Sequence, residues 1–371
     1  MKFYKLSIIA LCVIFSNIII AQKVEFSVYL IGDCGKSDVN PQTLNALQEK
    51  LQKDENSTVI FLGDNIYTKG LTSNKKGELN KKPLNILHQQ LNILYNYNGQ
   101  AYFVPGNHDW KSGKNKGVKT LKNQQEYTNK YLSENTYTLN QQYGHFYPKE
   151  GLPGPRSILL SKGVRAVFVD TQWWLHQTPY KKVNSNDRPK YRIEKEFFED
   201  LNSILELAEQ NKETVIIAAH HPLITDGDHS KKKQPIRFLN HYTPFQVLGL
   251  IGLNRWLIQD TPHPKYRAMT KQFLEVISAY NNVIYAAGHD HSLQYHQYND
   301  LVHLVSGAGS KSTEIVNKSP SQVYATAEHN GYMKLTFRKN KRTLLQVING
   351  SDNSVLFSQK LNVYPNKNAK K

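Results

Sequence analysis

A chain of 371 residues with 47 Lys and Arg against 30 Asp and Glu carries a formal charge of +17, which favours anionic partners and substrates over cationic ones. Only two cysteines are present, Cys12 in the apolar N-terminal run and Cys34 beyond it. With that run removed no internal disulfide can form, and stability must come from an ordinary core. The basic residues gather in polar runs (74–82, 111–122, Lys231 to Lys233 and the tail 366–371) with no interleaved aromatic platform, so nucleic acid is not an expected partner.

Residues 1–21, MKFYKLSIIALCVIFSNIIIA, set Lys2 and Lys5 ahead of an apolar stretch that closes on Ala21, the order of a signal peptide. The stretch is short for a bilayer and is interrupted by Ser16 and Asn17. The expectation is an exported protein, secreted or periplasmic, with no membrane span in the mature chain. No Pro/Gly/Ser-rich linker divides the rest, which reads as one α/β domain over 24–363 followed by a basic tail at 364–371. Strand-like apolar runs occur at 24–31, 58–62, 101–104, 165–169, 214–219 and 283–287, with helical patterning at 42–52, 83–95, 192–210 and 267–280. Later runs at 301–305, 331–337, 343–348 and 354–357 read as antiparallel closing strands. Buried strands alternating with helices predict a layered α/β sandwich, whose ligands gather at the carboxyl ends of strands. The stretch 222–266, which holds the Lys triplet and FQVLGLIGLNRWL at 245–257, reads as an insertion that caps the core.

Polar clusters follow the strand ends in order: Gly32-Asp33-Cys34-Gly35, Gly63-Asp64-Asn65-Ile66-Tyr67, Gly106-Asn107-His108-Asp109, His220-His221-Pro222 and Gly288-His289-Asp290-His291. One Asp after a strand is usually a turn or a helix cap, and one His is usually a satisfied core residue. Five such clusters at adjacent strand ends are a metal site, with carboxylates, an amide and imidazoles as donors and Gly permitting close backbone approach. The mixture suggests two cations bridged by Asp64, a pair suited to attack by hydroxide on phosphorus.

The order GDCG, GDNIY, GNHD, AAHHP and GHDH resembles the calcineurin-like metallophosphoesterase superfamily, and within it the small purple acid phosphatases of tartrate-resistant type. The resemblance covers roughly residues 24–337, including VSGAGSK at 305–311. It implies a four-layer αββα sandwich of two mixed sheets flanked by helices, and hydrolysis of phosphomonoesters by a metal-bound hydroxide at acidic pH. Asp33-Cys34-Gly35 stands where most of the superfamily has Asp-x-His, and Tyr67 is the replacement ligand of this branch. Carried over, Asp33, Asp64, Tyr67 and His291 would hold Fe(III), and Asp64, Asn107, His220 and His289 a divalent Fe, Zn or Mn. His108 would assist the leaving group, paired with Asp109 or a neighbouring carboxylate, and His229 would face the substrate. His221 is given no role. The expected substrate is a phosphorylated small molecule or phosphoprotein. A phosphodiesterase or pyrophosphatase on the same centre, or an inert secreted binding module, are the alternatives.

Overall fold

The computed structural model describes residues 24–36, 41–114, 116–135, 145–176, 190–230, 260–338 and 342–363. The segment 1–21 read as a signal peptide, the stretch 231–259 of the expected insertion with its Lys triplet, and the tail 364–371 lie outside the described residues.

The strands are β1 (Val24–Ile31), β2 (Ser57–Phe61), β3 (Gln100–Phe103), β4 (Arg156–Ser161), β5 (Val164–Phe168), β6 (Thr214–Ala218), β7 (Val283–Ala287), β8 (Leu293–Tyr298), β9 (Leu301–Ser306), β10 (Gln322–Thr326), β11 (Gly331–Arg338), β12 (Thr343–Asn349) and β13 (Val355–Leu361). They form a six-stranded sheet in the order β13-β12-β11-β1-β2-β3 and a seven-stranded sheet in the order β10-β8-β9-β7-β6-β5-β4. The helices are α1 (Gln42–Leu51), α2 (Lys81–Asn92), α3 (Gly117–Asn135), α4 (Gln172–Leu175), α5 (Lys190–Gln210) and α6 (Pro264–Ile277). Strand side chains alternate between two cores, as a period of two requires. Val28, Leu30, Ile60 and Leu62 of the first sheet meet Ile216, Ala218, Ile284 and Ala286 of the second. The opposite faces lie under helices: Tyr29, Phe61 and Phe103 with Leu47 and Leu87, and Ile217 and Tyr285 with Phe197 and Phe273. The result is the αββα sandwich with mixed sheets.

Hydrophobic burial fixes the layers. In the second helical layer Trp174 packs edge-on against Phe197 at 5.0 Å and Phe273 at 5.4 Å between ring centroids. Each ring so buried contributes about 1.5–3 kcal/mol. Because β1-β2-β3 and β5-β6-β7 run parallel, their carboxyl ends face one way within each sheet. The segments after β1, β2, β3, β6 and β7 carry the polar clusters.

One sequence expectation changes. The run at 301–305 is not a closing antiparallel strand: β9 is parallel to β7 and antiparallel only to β8. Residues within the basic run 111–122 belong to α3, whose buried face is largely polar: Thr120, Gln124, Gln125 and Thr128 lie beside Leu121 and Leu132.

Candidate metal centre

Asp33, Asp64 and His289 adopt φ of 63°, 51° and 68°, the left-handed region that non-glycine residues seldom enter. Such backbone persists where surrounding contacts over-determine it, commonly at functional sites. Here the neighbouring backbone is crowded. A Cβ on Gly63 would lie 2.6 Å from His220 Nδ1, and one on Gly106 would collide with the Asp64 carboxylate.

The donors fall into two groups. In the first, the Tyr67 hydroxyl donates to Asp33 Oδ1 at 2.7 Å and lies 3.0 Å from His291 Nε2, which is 3.5 Å from the same carboxylate oxygen. In the second, Asn107 Oδ1 lies 3.0 Å from His220 Nε2 and 3.1 Å from His289 Nδ1. Asp64 belongs between them: its Oδ1 is 3.4 Å from His220 Nε2, and ligand atoms of Asp33, Asp64 and His220 all lie within 4.8 Å of one another. Asp33, Asp64, His220 and His289 are buried to within 2% of full burial.

Proton positions sharpen this picture. Nδ1 of His220 lies 2.8 Å from the Leu62 carbonyl, which can only accept, so in the neutral ring that a metal requires this nitrogen carries the proton and Nε2 presents its lone pair. Nε2 then faces Asn107 Oδ1 and Asp64 Oδ1, acceptor against acceptor. A cation at that point reconciles all three, so the donor set fits a metal. Burial, with Asp33 and Asp64 beside it, pushes the Tyr67 hydroxyl well above its ordinary pKa, and a phenolate there needs a strongly charged cation. Burial alone would raise Asp64; with no cation bound, the positive charge of a protonated His220, and then of His108, lowers it below its ordinary value.

His108 sits on the open side. Its Nδ1 is 2.9 Å from the Thr68 carbonyl and 3.1 Å from Ser112 Oγ, its Nε2 is 3.8 Å from Asp64 Oδ2, and its ring meets Tyr67 edge-on at 4.5 Å. Of the two carboxylates the expectation allowed, Asp109 or a neighbouring one, it is Asp64 that lies near His108. Asp109 is fully buried and accepts from Gly106 N at 2.8 Å, Asn65 N at 3.3 Å, Asn65 Nδ2 at 3.0 Å and Ile66 N at 3.2 Å. Burial and then the neighbouring Asp64 push its carboxyl up to about 6. Its contacts make it the tie between the loops that carry Asp64 and Asn107. Asp109→Ala would leave these donors unsatisfied at about 1–3 kcal/mol each, so unfolding free energy in urea should fall by roughly 3 kcal/mol or more. A loss below about 1 kcal/mol would show that the amides find other partners.

His229 stacks on His289 at 4.1 Å, and its Nδ1 lies 2.9 Å from Asp260 Oδ1. Burial lowers its pKa, but the Asp260 hydrogen bond and the charges of Asp290, Asp260 and Asp228 leave it raised overall. Four neighbours escape a reading of motifs. His221 is buried with ligand atoms near those of His220 and His289, and its Nδ1 is 2.7 Å from Thr171 Oγ1. Ser112 follows His108 by four residues in a turn with no motif of its own, and Asp260 comes from 31 residues beyond His229. Lys311 closes the VSGAGSK turn, one lysine among the chain's many.

Comparison with curated protein sequences finds no match. Among solved structures the chain is similar to GAP50, the anchor in the inner membrane complex of Plasmodium, at 19% identity and TM-score 0.50, covering 92% of this chain and 89% of that one. It is similar to a purple acid phosphatase from yellow lupin (Lupinus luteus) seeds at 15% identity and TM-score 0.54, covering 92% of this chain and 54% of that one. A dimetal phosphatase from Danio rerio matches at 13% identity and TM-score 0.51, over 92% and 100%. At such identities the likeness is one of fold. The model of one family, calcineurin-like phosphoesterase, matches residues 26–307. That range takes in every strand end that carries a donor, from Asp33 to His291, and well over half the chain: it belongs to the calcineurin-like phosphoesterase family.

Proposed function

We propose that the protein is an exported phosphomonoesterase of the purple acid phosphatase kind, working at acidic pH. Family membership supports metal-dependent hydrolysis of phosphate esters; the finer reading rests on Tyr67. A phenol hydroxyl 2.7 Å from Asp33 and 3.0 Å from His291 occupies the position of a ligand, and a hard, strongly donating oxygen suits Fe(III). In this reading Asp33, Asp64, Tyr67 and His291 hold Fe(III), and Asp64, Asn107, His220 and His289 hold divalent Fe, Zn or Mn. Two cations so held would supply Lewis-acid charge to the phosphoryl oxygens and make a nearby water acidic.

The chain's own residues do the rest. The Thr68 carbonyl can only accept, so His108 Nδ1 donates to it and Nε2 faces the centre. As an imidazolium, His108 gives its Nε2 proton to the departing alkoxide. His229, stacked on His289 and paired with Asp260, offers a second cationic group to a phosphate dianion. Phosphorylated small molecules or phosphoproteins are the substrates. Among the described residues no helix is long and apolar enough to cross a membrane.

Protein purified without added iron should contain iron and show a visible charge-transfer band that disappears in Tyr67→Phe. A colourless, iron-free, fully active wild type would sink the iron assignment and leave a generic dinuclear hydrolase. Paired assays on nitrophenyl phosphate and bis(nitrophenyl) phosphate separate monoesterase from diesterase. An inert binding module on this fold, the reading prompted by the anchor GAP50, requires that metal-loaded protein cleave neither ester.

A further inference from the structure

Lys311 ends the VSGAGSK run at 305–311 but lies outside the ligand set, and the resemblance gives it no role. Its backbone is fixed to two ligand-bearing loops. Gly309 N donates to Gly32 O at 3.0 Å, Ser310 Oγ donates to Asp33 O, and Thr313 N donates to His291 O at 2.7 Å. From this root the side chain, half-buried, sets its ammonium 4.8 Å from the centroid of the Tyr67 ring, the ring that His108 also touches. Among the described residues no carboxylate forms an ion pair with it. A half-buried ammonium held over the Tyr67 ring, on a turn bonded to the Asp33 and His291 loops and with no ion pair among the described residues, is placed to meet an anion.

We infer that Lys311 is a substrate-binding residue that anchors the non-reacting oxygens of a phosphate monoester and so favours monoesters over diesters. A fully ionised monoester bears two negative charges, and at any pH it has three terminal oxygens, whereas a diester bears one charge and two such oxygens. A fixed cation beside the centre therefore discriminates in favour of the monoester. His108 acts on the leaving oxygen; Lys311 acts on oxygens that do not leave. The inference rests on the phosphomonoesterase reading and names the specificity device of that same site.

The probe is inorganic phosphate, titrated into metal-loaded full-length wild type, Lys311→Met and Lys311→Arg, together with kcat/KM for nitrophenyl phosphate and bis(nitrophenyl) phosphate. Met keeps the length of the stem and its packing on Tyr67 but removes the charge. Lys311→Met should retain its metals, bind phosphate about 10- to 100-fold more weakly and lose a similar factor on the monoester, with the diester little changed. Lys311→Arg should recover most of both losses. Unchanged phosphate affinity in Lys311→Met, or equal losses on the two esters, overturns the inference. Should Lys311→Met fail to hold metal, Lys311→Gln takes its place under the same criteria. A wild type that binds phosphate through Lys311 yet cleaves neither ester would sink the phosphomonoesterase reading and leave the anion site standing.

Discussion

Asp64→Ala should lose both metals, with turnover on any phosphate ester falling by roughly four orders of magnitude or more. Paired cations supply several kcal/mol of charge stabilisation, and each ~1.4 kcal/mol is a tenfold change in rate. The loss is double because Asp64 is common to the two donor groups: its ligand atoms lie within 4.8 Å of those of Asp33 and His220. Its Oδ1 also accepts from the His108 amide at 2.8 Å, so the same carboxylate braces the GNHD turn. Ala is strained at the φ of 51° found here, which Asn tolerates better, so Asp64→Asn is the cleaner variant. Asn retains an oxygen for the His108 amide but brings no charge to either cation. Asn107→Ala is the contrast, since its Oδ1 meets only the His220 and His289 group. Elemental analysis should give a single metal per chain for Asn107→Ala and close to none for the Asp64 variants. Two metals per chain in Asp64→Asn would refute the shared-ligand map.

The donor clusters are legible in the sequence because each is a run of chain neighbours at the end of an apolar strand, and parallel pairing then carries those ends to one side. Strands β1, β2, β3, β5, β6 and β7 announce themselves by predominantly apolar character, most of their residues being buried. β8 does not. Its LQYHQY buries Gln294 and His296, whose polarity is absorbed by bonds from the Asp226 amide and to Thr225, Ser292 and each other. A periodicity of apolar residues cannot register a strand whose inward side chains are amides and imidazoles. α3 is hidden in the same way by Thr120, Gln124, Gln125 and Thr128.

Asp109 shows a different limit. Adjacency in GNHD suggests a His108–Asp109 pair, yet the turn sends the two side chains apart, the carboxylate to the Asn65, Ile66 and Gly106 amides and the imidazole to Thr68 and Ser112. Lys311 is missed for the opposite reason. Nothing in VSGAGSK marks its lysine as different from the chain's many others until the turn is pinned to Asp33 and His291. Where residues act through packing between distant loops, sequence supplies the loops but not their meeting.

His108→Ala should keep both metals and the visible band while losing about 100- to 10,000-fold in turnover on an alkyl phosphate, the range of general acid catalysis. The metals stay because no ligand is removed; the backbone bond from residue 108 to Asp64 Oδ1 survives in Ala. The rate falls because an alkoxide is a poor leaving group and needs the proton that His108 Nε2 would deliver. Nitrophenolate departs without much protonation, so the loss on nitrophenyl phosphate should be far smaller, and the ratio between the two substrates carries the test. Ser112→Ala separates orientation from chemistry. It removes the hydroxyl 3.1 Å from His108 Nδ1 but leaves the Thr68 carbonyl in place, so it should show a weaker version of the same leaving-group dependence. Equal losses on both substrates in His108→Ala would mean that the imidazole binds phosphate instead of protonating the leaving oxygen. Loss of metal in that variant would place His108 among the ligands and reopen the division between the residues that hold the cations and those that move the proton.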